Sequence, residues 1–74
     1  LFDGVFALRG WRVVGEKHLK LELDGWGRRV NAIEFGGWRG EAPSPRLRIA
    51  FRLEPDDWRG GDAIQLVVVH REPA

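Results

Sequence analysis

The sequence predicts an all-β chain folded as one small five-stranded barrel, and three observations predict it. Apolar and polar residues alternate with a period of two along most of the chain, the pattern of strands that turn one face inward. Glycine and proline interrupt that alternation at short intervals, at Gly15, Gly25, Gly27, Gly36, Gly37, Gly40, Pro43, Pro45, Gly60 and Gly61. The chain has 74 residues, with 4 Trp, 4 Phe and no cysteine, so one small core must rest on aromatic and aliphatic packing without disulfides. An open sheet of five short strands would leave two unpaired edges; closing it removes both and gives the apolar faces a shared interior.

The first strand is expected over Phe2–Val14, with a bend or bulge at Gly10, where the apolar residues change face. Gly15-Glu16-Lys17 makes the first turn. His18–Asp24 reads as the second strand, with Leu19, Leu21 and Leu23 on one face and His18, Lys20, Glu22 and Asp24 on the other. Gly25-Trp26-Gly27 turns into a third strand, Arg29–Phe35, whose expected inward pair is Ile33 and Phe35. Gly36–Pro45 holds too many breakers for a helix and is expected as a loop. The fourth strand, Arg46–Leu53, should point Leu47, Ile49, Phe51 and Leu53 inward and Arg46, Arg48 and Arg52 outward. Pro55–Gly61 is a turn in which Asp56-Asp57 could start a helical turn. The last strand, Ala63–His70, has an apolar stretch at Leu66–Val69 that predicts cover on both faces. Among five-stranded closures the OB-fold fits a long bent first strand, and an SH3-like barrel is the alternative; the missing helix after strand three counts against the OB-fold.

Twelve basic and eleven acidic residues leave a net charge of +1, so bulk charge does not announce a nucleic-acid partner and distribution has to decide. Arg9, Arg12, Lys17 and Lys20 enclose one acid, Glu16; Arg46, Arg48 and Arg52 enclose none; Glu54, Asp56, Asp57 and Asp62 gather the acids. Ten of the basic residues are arginine, which fits both forked phosphate contacts and biased codon usage. No apolar run approaches the ~20 residues that span a bilayer, so no membrane partner is expected. The absence of cysteine is compatible with a cytoplasmic location. The start at Leu1, without methionine, predicts a piece of a longer chain.

The string Phe2-Asp3-Gly4-Val5-Phe6, followed by Arg12 and by Val14-Gly15-Glu16-Lys17-His18-Leu19-Lys20, resembles the start of the C-terminal OB domain of RecJ-type exonucleases. Ala32-Ile33-Glu34-Phe35-Gly36 is similar to that family's third strand. The ending is similar as well, from Ala50-Phe51-Arg52-Leu53 through Trp58-Arg59-Gly60 to Gln65-Leu66-Val67-Val68, His70 and Pro73. The resemblance implies that residues 1–74 are a single OB-fold domain at the C-terminal end of a larger bacterial nuclease. That parent would degrade single-stranded DNA 5′→3′ in DNA repair and recombination, with Mg²⁺ or Mn²⁺ in a catalytic core not represented here. Its implied partners are single-stranded DNA, the parent's own core and DNA-repair proteins.

Within the chain itself no nucleophile–base pair or metal cluster stands out, so no catalytic residue and no cofactor is expected in it. His18 has no second ligand at metal spacing, and Asp56, Asp57 and Asp62 read as a solvated acidic turn. Single-stranded DNA asks a surface for cations and for flat side chains. Arg12, Lys17, His18 and Lys20 are the expected phosphate contacts, or else the wet face of a half-buried sheet. Trp58-Arg59 reads as a stacking platform with a phosphate clamp, or as a barrel plug, the reading favoured for Trp58, with Arg59 packed over it. Arg46, Arg48 and Arg52 either extend the track, pair with acids or touch the catalytic core. Trp26 and Trp38 either stack bases, dock another domain or close the core. A protein-interaction module, docking a repair partner or the parent's core, is the competing function.

Overall fold

A computed structural model describes residues 1–55 and 63–74 of the chain. Five strands form in order, β1 (Phe2–Val14), β2 (His18–Gly25), β3 (Arg28–Glu34), β4 (Arg46–Pro55) and β5 (Ile64–Pro73). They close into a barrel in the order β1-β2-β3-β5-β4. All neighbours are antiparallel except β3 and β5, which run parallel. This is the OB-fold connectivity, and it excludes the SH3-like alternative.

One long strand closes the barrel because it serves two neighbours. Phe2 to Ala7 pair with β4, and Ala7 to Val14 pair with β2. The change of partner needs a bend, and the register with β2 shifts between Leu8 and Gly10, at the position the alternation marks. The inward rows of Leu19, Leu21 and Leu23 on β2 and Leu47, Ile49 and Phe51 on β4 meet Phe6, Ala32, Leu66 and Val68 in one core. Burying each large apolar side chain contributes about 1.5–3 kcal/mol. Gly25 makes room for the ring of Phe6: a Cβ there would lie 2.3 Å from the Phe6 Cδ2. The adjoining two-residue turn, Trp26-Gly27, has positive φ at both positions, 57° and 72°, as a tight hairpin turn requires.

The expected burial changes at four residues, Ile33, Phe35, Leu53 and Val69. On β3 the inward row is Ala32 and Glu34, with Val30 packed against the core, while Phe35 is 62% exposed and Ile33 half-buried on the outer wall. The cause is register: Leu21 faces Ala32 and Leu19 faces Glu34, so the buried leucines of β2 fix the phase of β3 one residue from the expected one. Glu34 is tolerated inside because Arg71 Nε donates to its Oε1 at 2.6 Å and Arg71 Nη2 donates to the Gly37 carbonyl at 3.1 Å. Leu53 is exposed because it extends past Phe2↔Phe51, the last β1–β4 pair. Val69 is exposed as well: a register shift between Ala50 and Phe51 leaves it as the extra residue of β5, so only Leu66, Val67 and Val68 of the apolar stretch are buried.

The segment from Phe35 to Pro45 carries no helix, as expected, and Trp38 takes a helix's place at that end of the barrel. Trp38 packs on the core, stacks on Trp11 at 5.4 Å, and donates its backbone N–H to the Lys17 carbonyl. It is a lid. At the opposite end Trp26 sets its edge against Phe6 at 5.1 Å and lies 5.7 Å from Phe51, yet stays 61% exposed. The expected helical start at Asp56-Asp57 lies outside the described residues.

Candidate nucleic-acid interface

The register of β1 on β2 decides where the cations go. Arg12 faces Lys20 and Val14 faces His18, while the alternate pairs, Trp11 with Leu21 and Val13 with Leu19, hold the buried leucines of β2 in the opposite phase. Directly opposed residues on adjacent strands hold their Cβ atoms about 4.5–5.5 Å apart on the same face. Arg12 and Lys20 are therefore neighbours on the outer wall. The row continues in register through half-buried Ile33 on β3 and buried Val67 on β5 to Arg52 on β4. At about 4.8 Å per strand, Arg52 lies ~14 Å from Lys20 along the wall. Arg52 is exposed and partly answered by Glu54, 3.2 Å away.

His18 and Lys17 extend the wall at the Trp38 end. The Gly36 N–H donates to His18 Nδ1 at 3.0 Å, so Nδ1 is the acceptor and Nε2 the donor of the imidazole. Gly15 gives that ring space, since a Cβ there would meet the His18 Cδ2 at 3.3 Å. The ring of Phe35 meets the imidazole edge-on, with centroids 5.4 Å apart and planes at 78°. Lys17 is exposed in the turn, its carbonyl fixed by Trp38.

Acids bound this wall on the side of the β2–β3 turn. Glu22 sits between Gly10 and Asn31 in the next row, close enough to Gly10 that a Cβ there would lie 2.7 Å from its Oε2. Asp24 accepts from Arg9 Nε at 2.6 Å and from Arg29 Nε at 3.1 Å. The Arg9 hydrogen bond, and after it that of Arg29, holds the Asp24 carboxyl below the usual carboxylate range. Arg9 and Arg29 are thus largely spent on Asp24.

The sequence-predicted site residues accordingly divide. Arg12, Lys17, His18 and Lys20 come together, and Arg52 joins their row from across the sheet. Arg46 and Arg48 do not: they face Ala7 and Val5 on the first half of β1, and Arg48 faces Glu72 on its other side. Trp58 and Arg59 lie outside the described residues. Phe35 was missed, because strict alternation after Ile33 placed it inside; the signal that would have found it is the fixed phase of the leucines on β2. Among the described residues no three His, Cys, Asp or Glu side chains gather as a metal site.

The RecJ OB domain family matches residues 1–70. The chain belongs to that family. It is 34% identical over 77 residues to the single-stranded-DNA-specific exonuclease RecJ of Dickeya dadantii (strain 3937), a match covering 97% of this chain and 13% of that protein. The RecJ exonuclease of Escherichia coli (strain K12) is 33% identical over 73 residues, covering 92% of this chain and 13% of the relative. This RecJ OB domain thus spans about 13% of the length of the curated relatives it matches. In shape it is similar to a chain of a replication protein A heterotrimer solved with bound single-stranded DNA, with a TM-score of 0.71 and 9% identity over 97% of this chain and 55% of that one. At that identity the likeness bears on the fold alone.

Proposed function

We propose that this RecJ OB domain binds single-stranded DNA and holds it for the single-strand exonuclease of which it is a part. The observation that carries the reading is the Arg12–Lys20 pair. Like charges directly opposed on neighbouring strands destabilise a sheet, and an anion bridging them relieves that cost. In this reading a phosphate lies between Arg12 and Lys20, Lys17 and the His18 Nε2–H hold the next, and Arg52 marks where the strand leaves. Arg46 and Arg48 lie off this path. Trp58 and Arg59 belong by sequence to the loop after the fourth strand, a loop that commonly frames the ligand of an OB-fold. The names of the relatives support the choice of ligand, and the likeness to the replication protein A chain supports the fold that carries it. The parent's activity would be 5′→3′ hydrolysis of single-stranded DNA in bacterial repair and recombination, in the cytoplasm. Its Mg²⁺ or Mn²⁺ would sit in a catalytic core outside this chain.

The test is a fluorescence-anisotropy titration of the chain against labelled oligothymidine at low salt. Binding that weakens with salt and falls on Arg12→Ala with Lys20→Ala supports the reading; no titratable binding sinks it.

A second reading has its own observation. Leu1, Phe2, Trp26 and Leu53 are exposed, and Phe2 stacks on Phe51, which Trp26 also approaches, so aromatic surface collects at the barrel end away from Trp38. That end would dock the parent's core or a repair protein. Such docking would be lost in pull-downs on Trp26→Ala while DNA binding stays.

A further inference from the structure

We propose that Phe35 is a base-stacking platform, so that the site binds one unpaired base beside the phosphates held by the cationic wall. This rests on the proposed function and adds the part of the ligand that is not phosphate.

Four observations meet at this side chain. Phe35 is 62% exposed directly after β3, on a domain too small to spend an aromatic ring on solvent without loss. Its ring is not loose: the imidazole of His18 abuts it edge-on at 5.4 Å. The imidazole is itself anchored by the Gly36 N–H, and Gly36 takes a φ of 69°, a left-handed conformation that suits glycine. Finally, the donors of the wall are close in register, since Lys20 lies two residues after His18 on β2, and Ile33, in register with Lys20, lies two residues before Phe35.

Together these make a preorganised surface. A base stacking on a ring already fixed in place loses little freedom beyond its own. Stacking accepts any base, because every base offers a π-face, so the site is tolerant of sequence. It rejects duplex DNA for the same reason, since paired bases have both faces covered by their neighbours. His18 then has two roles: its ring, set T-shaped against Phe35, orients it, and its Nε2–H reaches for the adjoining phosphate. A single strand would thus be read as alternating flat and anionic groups, which an acidic peptide or a polyphosphate does not supply.

The test compares two labelled oligomers of equal length, oligothymidine and an abasic deoxyribose-phosphate strand, titrated into the chain and its variants at one salt concentration. Phe35→Ala is expected to weaken oligothymidine binding by about 5- to 150-fold, the range found for a stacked base, and to leave the abasic strand unchanged. Phe35→Leu, which keeps apolar bulk without a π-face, should behave like Ala. Phe35→Trp should retain binding and show added tryptophan emission that quenches as oligothymidine binds. Unaltered oligothymidine affinity in Phe35→Ala and Phe35→Leu would overturn the proposal and leave the phosphate track standing. An equal loss on both oligomers would also overturn it, because Phe35 would then only shape the wall. If the unsubstituted chain binds neither oligomer, the proposed function itself fails. Circular dichroism of each variant separates these results from unfolding.

Discussion

Two outer walls of this barrel are basic, and they differ in what surrounds the charge. On the β1–β2 wall Arg12 and Lys20 face each other, their row continues through apolar Ile33 and Val67, and an exposed aromatic ring stands nearby. On the β1–β4 wall Arg48 lies between Val5 and Glu72, and Arg46 faces Ala7. Counting charges along the chain rates the two alike; pairing strands separates them. What separates them is that Arg12 and Lys20 oppose each other, whereas Arg48 faces Glu72 and Arg46 has no cation opposite it among the described residues, and strand register assigns those neighbours.

The largest expected effect comes from reversing charge on one wall at a time. Arg12→Glu with Lys20→Glu should weaken oligothymidine binding by more than about 100-fold at low salt, since two phosphate contacts are lost and two repulsions gained. Arg46→Glu with Arg48→Glu should weaken it by less than about 5-fold, through the general field alone. Equal losses in the two double variants, measured by anisotropy at matched salt, would erase the distinction between the walls.

A gentler version counts the contacts. Each phosphate contact on a single strand contributes about 0.7 to the slope of log affinity against log salt. Arg12→Ala with Lys20→Ala should flatten that slope by about 1.4, and Arg46→Ala with Arg48→Ala should leave it within error. A slope change shared by all four arginine and lysine sites would mean that the strand wraps the barrel instead of following one wall.

Much of this was legible before any coordinates. The bounds of β1, the bulge next to Gly10, the leucines of β2 and the inward row Leu47, Ile49 and Phe51 all follow from a period of two and from glycine. What failed did so at strand ends and across strands. Ile33 and Phe35, expected inside, lie outside because the phase of β3 is set across the ladder by the buried leucines of β2, and Leu53 because burial at the end of β4 depends on whether β1 still runs alongside. Glu34 could not be read as a core residue, because its partner Arg71 is far off in sequence and a lone carboxylate reads as surface. The same holds for Arg52, whose membership of the Lys20 row passes through two other strands. Periodicity reports the face of a residue; only pairing reports its company.

Glu22 offers a moderate test, because it is the acid nearest the Arg12–Lys20 row on the same wall, one row away along β2. Glu22→Gln removes a repulsion toward phosphate and keeps the side chain's size beside Gly10. Oligothymidine binding should tighten by about 2- to 5-fold at low salt, with the gain fading as salt screens it. A weakening instead would mean that the carboxylate orders Lys20 or Arg12 for binding, and the edge of the wall would have to be redrawn.

The smallest effect expected concerns Asp24, where acid and base cancel. Arg9 and Arg29 both donate to its carboxylate, which holds its folded-state titration below the ordinary value. A carboxyl with a depressed value in the folded state contributes stability above its unfolded value and loses it as pH falls through the folded one. The difference in melting temperature between the chain and Asp24→Asn should therefore be constant near neutral pH and shrink from about pH 4 downward. It should be small throughout, because exposed ion pairs contribute little and are screened by salt. The same substitution frees Arg9 and Arg29 at the border of the binding wall, so oligothymidine affinity should rise slightly while stability falls slightly. Opposite signs in the two measurements are what a local charge clamp requires; a parallel fall in both would make Asp24 a structural support of the wall.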